Sequence, residues 1–335
     1  MGYRDSIEKQ AEELPINRGS FLITGATGLI GSCLIDVLVA ANKKGSSFKI
    51  FALGRSKERI IKRFGIEVVP VEKDIATPIE EVETFDFIIH CASNADPKSY
   101  ALQPVETILT NVIGSKNVLE YCKKHTSTRM LLTSTFEVYG SIDDVSSYRE
   151  DMSGVIDQTV LRNGYPESKR CCELLLRSYA DEYNVNAVIV RLPSVYGPTM
   201  LKSDSKAHAQ FIKNALKHEN IVLKSKGEQR RTYCYVVDAV SGILKVLFDG
   251  VKGEVYNISN ENSVASIADV AHSCAEIAGT KVIFDMPDEI EAKGFSRSKD
   301  CILDNTKLKS LGWSAQYSLH DGLMETIGYL EEEGC

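Results

Sequence analysis

Tyr165 and Lys169 stand four apart at the start of a helical pattern, a spacing that sets both side chains on one face of a helix, one above the other. A phenol and an ammonium so placed fit a proton-transfer pair. Tyrosine, with a reference pKa of about 10, is a poor base at neutral pH, and a neighbouring cation favours its phenolate. Pro166 is tolerated between them because the first helical turn needs no N–H partner. Taken alone, the pair also reads as an exposed helix pair, so its meaning depends on what shares its register.

A second group lies near the N-terminus in "FLITGATGLIGSCLIDVL", which begins at Phe21 and carries Gly25, Gly28 and Gly31. Ile30, Leu34 and Leu38 repeat every four residues, so a helix starts just after Gly28 and points its N-terminus at whatever the turn admits. Free N–H groups and the helix dipole favour an anion there. Gly25, Thr27, Gly28, Leu29, Ile30 and Gly31 are the residues expected to hold a phosphate, although tight strand-to-helix turns use glycine without any ligand.

The elements that must position these groups follow a strand–helix rhythm. Short apolar runs at 20–24, 48–53, 67–71, 85–90, 129–134 and 187–191 read as strands, nearly continuously apolar as a sheet buried on both faces requires. Helical patterns cover 29–42, 104–124 and 165–183. This alternation predicts an α/β fold with a doubly wound parallel sheet. After Arg191 the chain turns polar and irregular around helical patterns at 206–217, 238–248, 266–278 and 319–330, a smaller lobe. "GEVYNIS" from Gly253 reads as a strand that could return to the main sheet.

The spacing G-x-x-G-x-x-G resembles the fingerprint of the extended short-chain dehydrogenase/reductase family, of the NAD-dependent epimerase/dehydratase type. The resemblance recurs in order along most of the chain: "HCAS" from His90, "NVIGSKNVLE" from Asn111, "TSTFEVYG" from Thr133, "YPESK" from Tyr165, "RLPSVYGP" from Arg191, "RRTYCYVVDAV" from Arg230, and "LGW" before a terminal helix. It implies a polar extension over 1–19, an NAD(P)-binding Rossmann domain over 20–191 and a mainly substrate-binding lobe over 192–335, with about 235–258 returning to the first domain. Ala92 and Ser93 join the cofactor site. Thr135 matches the position whose hydroxyl binds the reacting sugar oxygen, and a nucleotide-diphosphate sugar is the implied substrate. Strand two ends in "ALGRS", with Gly54 where NAD enzymes often carry a carboxylate, and Arg55 next to it suits the 2′-phosphate of NADP.

In enzymes resembling this one, the tyrosine takes a proton from a sugar hydroxyl, the ketone usually forms at C4, and a second step follows before the hydride returns. Phe136-Glu137 bears on that step. Hexose 4,6-dehydratases typically show Asp-Glu here, UDP-glucuronate decarboxylases keep the glutamate after a small residue, and 4-epimerases need neither carboxylate. Phe136 cannot protonate a leaving hydroxyl, and the surrounding motifs look closest to the decarboxylases. The resemblance thus implies decarboxylation or dehydration of the C4 ketosugar, with a 4-epimerase or a reductase with net consumption of NADPH as the alternative. Arg231 and Arg297 match phosphate- or sugar-binding arginines, and guanidinium forks suit diphosphate oxygens. Ser194 replaces the family's usual asparagine, which shortens or removes one phosphate contact.

Composition narrows the partners. With 335 residues, 43% hydrophobic and a net charge of −7, the chain can bury a large core, and it has no basic tract for nucleic acid or an anionic membrane surface. Nine cysteines without framework spacing read as reduced thiols, and no C-x-x-C pair suggests a metal site. No apolar stretch reaches the roughly 18 residues of a membrane span, so a cytoplasmic protein is expected. By resemblance, the helices at 104–124 and 165–183 would join two subunits in a homodimer.

Overall fold

The structure, a computed structural model, describes residues 2–80, 83–285 and 300–334. The first two-thirds of the chain runs through α1 (Tyr3–Glu12), β1 (Arg18–Thr24), α2 (Leu29–Lys43), β2 (Ser47–Gly54), α3 (Lys57–Phe64), β3 (Val69–Glu72), β4 (Phe87–His90), α4 (Pro97–Leu102), α5 (Pro104–Lys124), β5 (Arg129–Thr135), α6 (Gly164–Glu182) and β6 (Asn186–Leu192). The remainder comprises β7 (Ser194–Tyr196), α7 (Ala207–Leu216), β8 (Ile221–Leu223), β9 (Arg230–Tyr235), α8 (Val236–Asp249), β10 (Val255–Asn257), β11 (Val264–Ser266), α9 (Ile267–Ala278), β12 (Val282–Phe284), α10 (Thr306–Lys309) and α11 (Leu319–Glu332).

Among the described residues, seven strands form one parallel sheet in the order β3-β2-β1-β4-β5-β6-β10. Alternate residues serve opposite faces: Phe21 and Ile23 of β1 join the core that holds α2 and α8, whereas Leu22 joins the core that holds α5 and α6. Both faces are buried, which is why the strands read as unbroken apolar runs. The strand order reverses between β1 and β4. In open α/β sheets the crevice at the carboxyl ends there is where ligands bind.

The N-terminal residues are more than a polar extension. α1 buries Tyr3, Ile7 and Ala11, the Tyr3 hydroxyl donates to Asp36 of α2 at 2.8 Å, and Ser6 donates to Glu325 of α11 at 2.9 Å. Three apolar positions four apart form a stripe too short and too surrounded by charge to stand out in the sequence. Beyond β6, two small sheets of order β11-β9-β7 and β12-β8 carry the second lobe, while β10 pairs in parallel with β6 at the edge of the main sheet. Asp238, in the first turn of α8, accepts the backbone N–H groups of Gln316 and Tyr317 and so pins the C-terminal segment to this helix.

His90, the last residue of β4, is buried between β1 and α5, with Nδ1 2.8 Å from the Thr24 hydroxyl and Nε2 3.3 Å from that of Ser115. Burial, with the nearby Lys169 ammonium adding to it, pushes its pKa from 6.5 down to about 3. The unfolded chain therefore binds a proton that the folded protein refuses between these values. Stability from this group is full above pH 6.5 and is lost as pH falls toward 3. His90→Gln should flatten the decline of thermal midpoint with acidification between about pH 6.5 and 4.5, measured by calorimetry, relative to the wild-type slope.

Candidate active site

The glycine turn follows β1 directly. Gly25 has φ +67°, and a Cβ there would lie 2.9 Å from the backbone nitrogen of Ala92. A Cβ on Gly31 would lie 2.4 Å from the Gly25 carbonyl oxygen. At these two positions side chains are excluded by the protein's own backbone. Gly28 differs: its nearest obstacle is the Gly25 oxygen at 3.2 Å, and it caps α2, whose first turn carries no acidic residue. Gly28 is thus the least crowded of the three, at the N-terminus of α2, with Thr27, Leu29 and Ile30 partly exposed around it. Thr199 from the second lobe donates to the Leu29 carbonyl at 2.8 Å, tying the lobes together beside the turn.

Arg55 is exposed just beyond β2, and the Ser56 hydroxyl accepts from the Arg59 N–H to cap α3. Gly54 leaves the strand end without a carboxylate. At the end of β4, Ala92 donates its N–H to Thr24 Oγ1 at 3.1 Å. Ser93 donates to Asn111 Oδ1 at 2.7 Å, Asn111 donates to Ser168 Oγ at 2.9 Å, and Ser168 donates to the Tyr165 carbonyl at 2.7 Å. This relay links β4, α5 and the start of α6. Asn111 was legible as a motif member, but its position between two serines was not.

Tyr165 and Lys169 lie in the first two turns of α6, and both are buried. The Lys169 ammonium donates to the Thr133 carbonyl on β5 at 3.0 Å, and burial pushes its pKa down. Burial, then the charge of Glu137, push the Tyr165 phenol up, against hydrogen bonds with Thr135 and Tyr100. The expected ammonium effect on the phenol is not among its largest influences. Tyr100 of α4 stacks on the Tyr165 ring with centroids 4.3 Å apart and planes at 12°, a neighbour that no sequence spacing announces.

Thr135 closes β5 and accepts the Glu137 N–H at 3.3 Å, starting the short helical turn Phe136–Tyr139. That turn holds Glu137 beside the tyrosine. Its carboxylate pairs with Arg162 at 3.1 Å. Phe136 faces the second lobe, where the Arg231 guanidinium lies 5.6 Å from its ring centroid and also donates to Gln229 at 2.9 Å. Ser194 is buried in β7, paired with Tyr233. Arg297 lies outside the described residues. Thr135, Glu137, Tyr165 and Lys169 thus meet at the carboxyl end of β5, with the glycine turn at the carboxyl end of β1 on the same edge of the sheet.

Residues 21–259 match the NAD dependent epimerase/dehydratase family. The chain belongs to this family. It is 32% identical over 306 residues to UDP-glucuronic acid decarboxylase 6 of Arabidopsis thaliana, covering 90% of this chain and 86% of that protein. Among solved structures it resembles UDP-glucose 4-epimerase of Thermotoga maritima with UDP-glucose, at TM-score 0.82 and 24% identity over 94% of this chain and 100% of that one. A dTDP-glucose 4,6-dehydratase of Streptomyces venezuelae with NAD and TYD bound matches at TM-score 0.79 and 25% identity, covering 93% and 97%.

Gly28 and Gly31 should separate by experiment. Gly31→Ala forces a methyl group against a carbonyl oxygen and should cost about 1–3 kcal/mol in denaturant unfolding. Gly28→Ala should lower stability less and weaken dinucleotide binding more, read by calorimetric titration.

Proposed function

We propose that this enzyme decarboxylates a nucleotide-linked uronic acid, UDP-glucuronate being the substrate that its curated relatives favour, through oxidation at C4 and return of the same hydride. The arrangement that supports this is Phe136-Glu137 at the end of β5: one carboxylate beside the tyrosine, and an aromatic ring in place of the acid that elimination of water would need.

The bound dinucleotide supplies a hydride acceptor, and later donor, at C4. Gly28 and the N-terminus of α2 would receive its diphosphate, and the buried Tyr165 phenol would ionise beside its oxidised ring. Thr135 orients the C4 hydroxyl, and Tyr165 takes its proton as the C4–H bond breaks. With a ketone at C4, the C5 carboxylate belongs to a β-keto acid: the C5–C6 bond breaks, CO2 leaves, and the electron pair rests in the enolate. Glu137 serves this stage by placing the departing carboxylate or relaying the proton that C5 gains. Tyr165 then returns its proton to O4 as the hydride comes back. Arg231 contacts the diphosphate or the sugar.

For the dinucleotide, Arg55 and the missing carboxylate at Gly54 favour NADP, whereas the family's name and the dehydratase complex favour NAD. We propose that Arg55 lets the site accept either. A homodimer is also proposed, because Val105, Leu109 and Leu174 leave apolar side chains exposed on α5 and α6, with Leu102 and Leu161 beside them. Among the described residues no helix is long and apolar enough to cross a membrane.

Glu137→Gln keeps shape and hydrogen bonding but removes the base. With UDP-glucuronate, CO2 release should fall by about 10²–10⁴-fold while the first hydride transfer survives and reduced dinucleotide accumulates. Near-normal turnover in this variant would contradict decarboxylation and dehydration together and favour a 4-epimerase.

A further inference from the structure

Arg162 was singled out by no motif, yet it joins the two halves of the site. It lies in the short helical turn Leu161–Asn163 that leads directly into α6, three residues before Tyr165. From there Nη2 reaches the Glu137 carboxylate at 3.1 Å, and the guanidinium carbon lies 5.9 Å from the ring centroid of Tyr100, the residue stacked on Tyr165. The turn itself is held in place. Asn163 donates its backbone N–H to Val160 O at 2.9 Å and its side chain to Asp157 O at 2.8 Å, and a Cβ on Gly164 would meet Ile108 of α5 at 2.8 Å. Arg162 therefore starts from a fixed point relative to the catalytic tyrosine.

The pair is half open to water, with side chains 42% and 21% exposed for Arg162 and Glu137. An ion pair in that setting contributes little to stability. Its worth lies in geometry: Glu137 is carried by a four-residue turn at a strand end, and without a partner its carboxylate can swing toward solvent. The planar fork of arginine restricts it more than an ammonium on a flexible stem could.

We infer that Arg162 is a positioning residue for the step after hydride transfer, holding the Glu137 carboxylate at the sugar while touching Tyr165 only through Tyr100. The inference rests on the proposed role of Glu137.

The test uses the full-length protein with UDP-glucuronate, following appearance of reduced dinucleotide and release of CO2 in single turnovers, with thermal melting as a check on folding. Arg162→Gln should slow CO2 release by about 10–10²-fold, the cost of a misplaced catalytic group, with hydride transfer and melting little changed. Arg162→Lys should recover part of the loss. Adding Arg162→Gln to Glu137→Gln should cost nothing further, because both act through one carboxylate. Equal slowing of both steps, or full additivity in the double variant, overturns the positioning role. If Glu137→Gln is impaired and Arg162→Gln is not, the inference alone fails. If wild-type protein releases no CO2 from UDP-glucuronate, the functional reading fails and takes the inference with it.

Discussion

The site depends on how α6 is locked to the sheet. Glu173, on α6 one turn beyond Lys169, is buried, and it accepts from Ser134 of β5 at 2.5 Å and from two nitrogens of Arg191 of β6 at 3.1 and 2.7 Å. The Arg191 guanidinium in turn lies 4.6 Å from the ring centroid of Tyr139. A charge in the interior is tolerated only when paired and hydrogen-bonded, and removing one partner of such a pair costs about 3–5 kcal/mol. The bidentate contact sets both the height and the rotation of the helix. Given that rotation, the residues one and two turns earlier must face the ends of β4 and β5, and these are Lys169 and Tyr165.

Burial then supplies the electrostatics. It disfavours the charged form of both Tyr165 and Lys169, raising the phenol and lowering the ammonium. A protein in this state holds its proton until a cation enters the site. Under the proposed function, the oxidised ring of the dinucleotide would be such a cation, and Tyr165 would ionise beside it. His90, kept neutral beneath Lys169, adds no competing acid.

What was legible in the sequence is what local periodicity carries. The strands, the glycine turn, the Tyr165–Lys169 spacing and the helix after Gly28 each follow from residues within one or two turns of each other. What was not legible is what distant segments bring together. Tyr100 stands 65 residues before the tyrosine it covers. Arg162 and Glu137 stand 25 apart, and Asn111 meets Ser168 across 57 residues. At Gly25 and Gly31 the glycine spacing has a cause that the sequence did not show, since the protein's own backbone excludes side chains there. Arg191 carried a motif signal for a structural cause, the buried pair with Glu173.

The central claim is that one hydride leaves C4 and returns to it while Tyr165 holds the proton. Turnover of UDP-glucuronate labelled with deuterium at C4, followed by mass spectrometry and NMR of the product, tests it most directly. The account predicts a five-carbon sugar nucleotide with the deuterium still at C4, CO2 released in equal amount, and no net change in the pool of reduced dinucleotide. A product whose C4 deuterium has been lost to the solvent or to free dinucleotide, or consumption of one reduced dinucleotide per turnover, would contradict it.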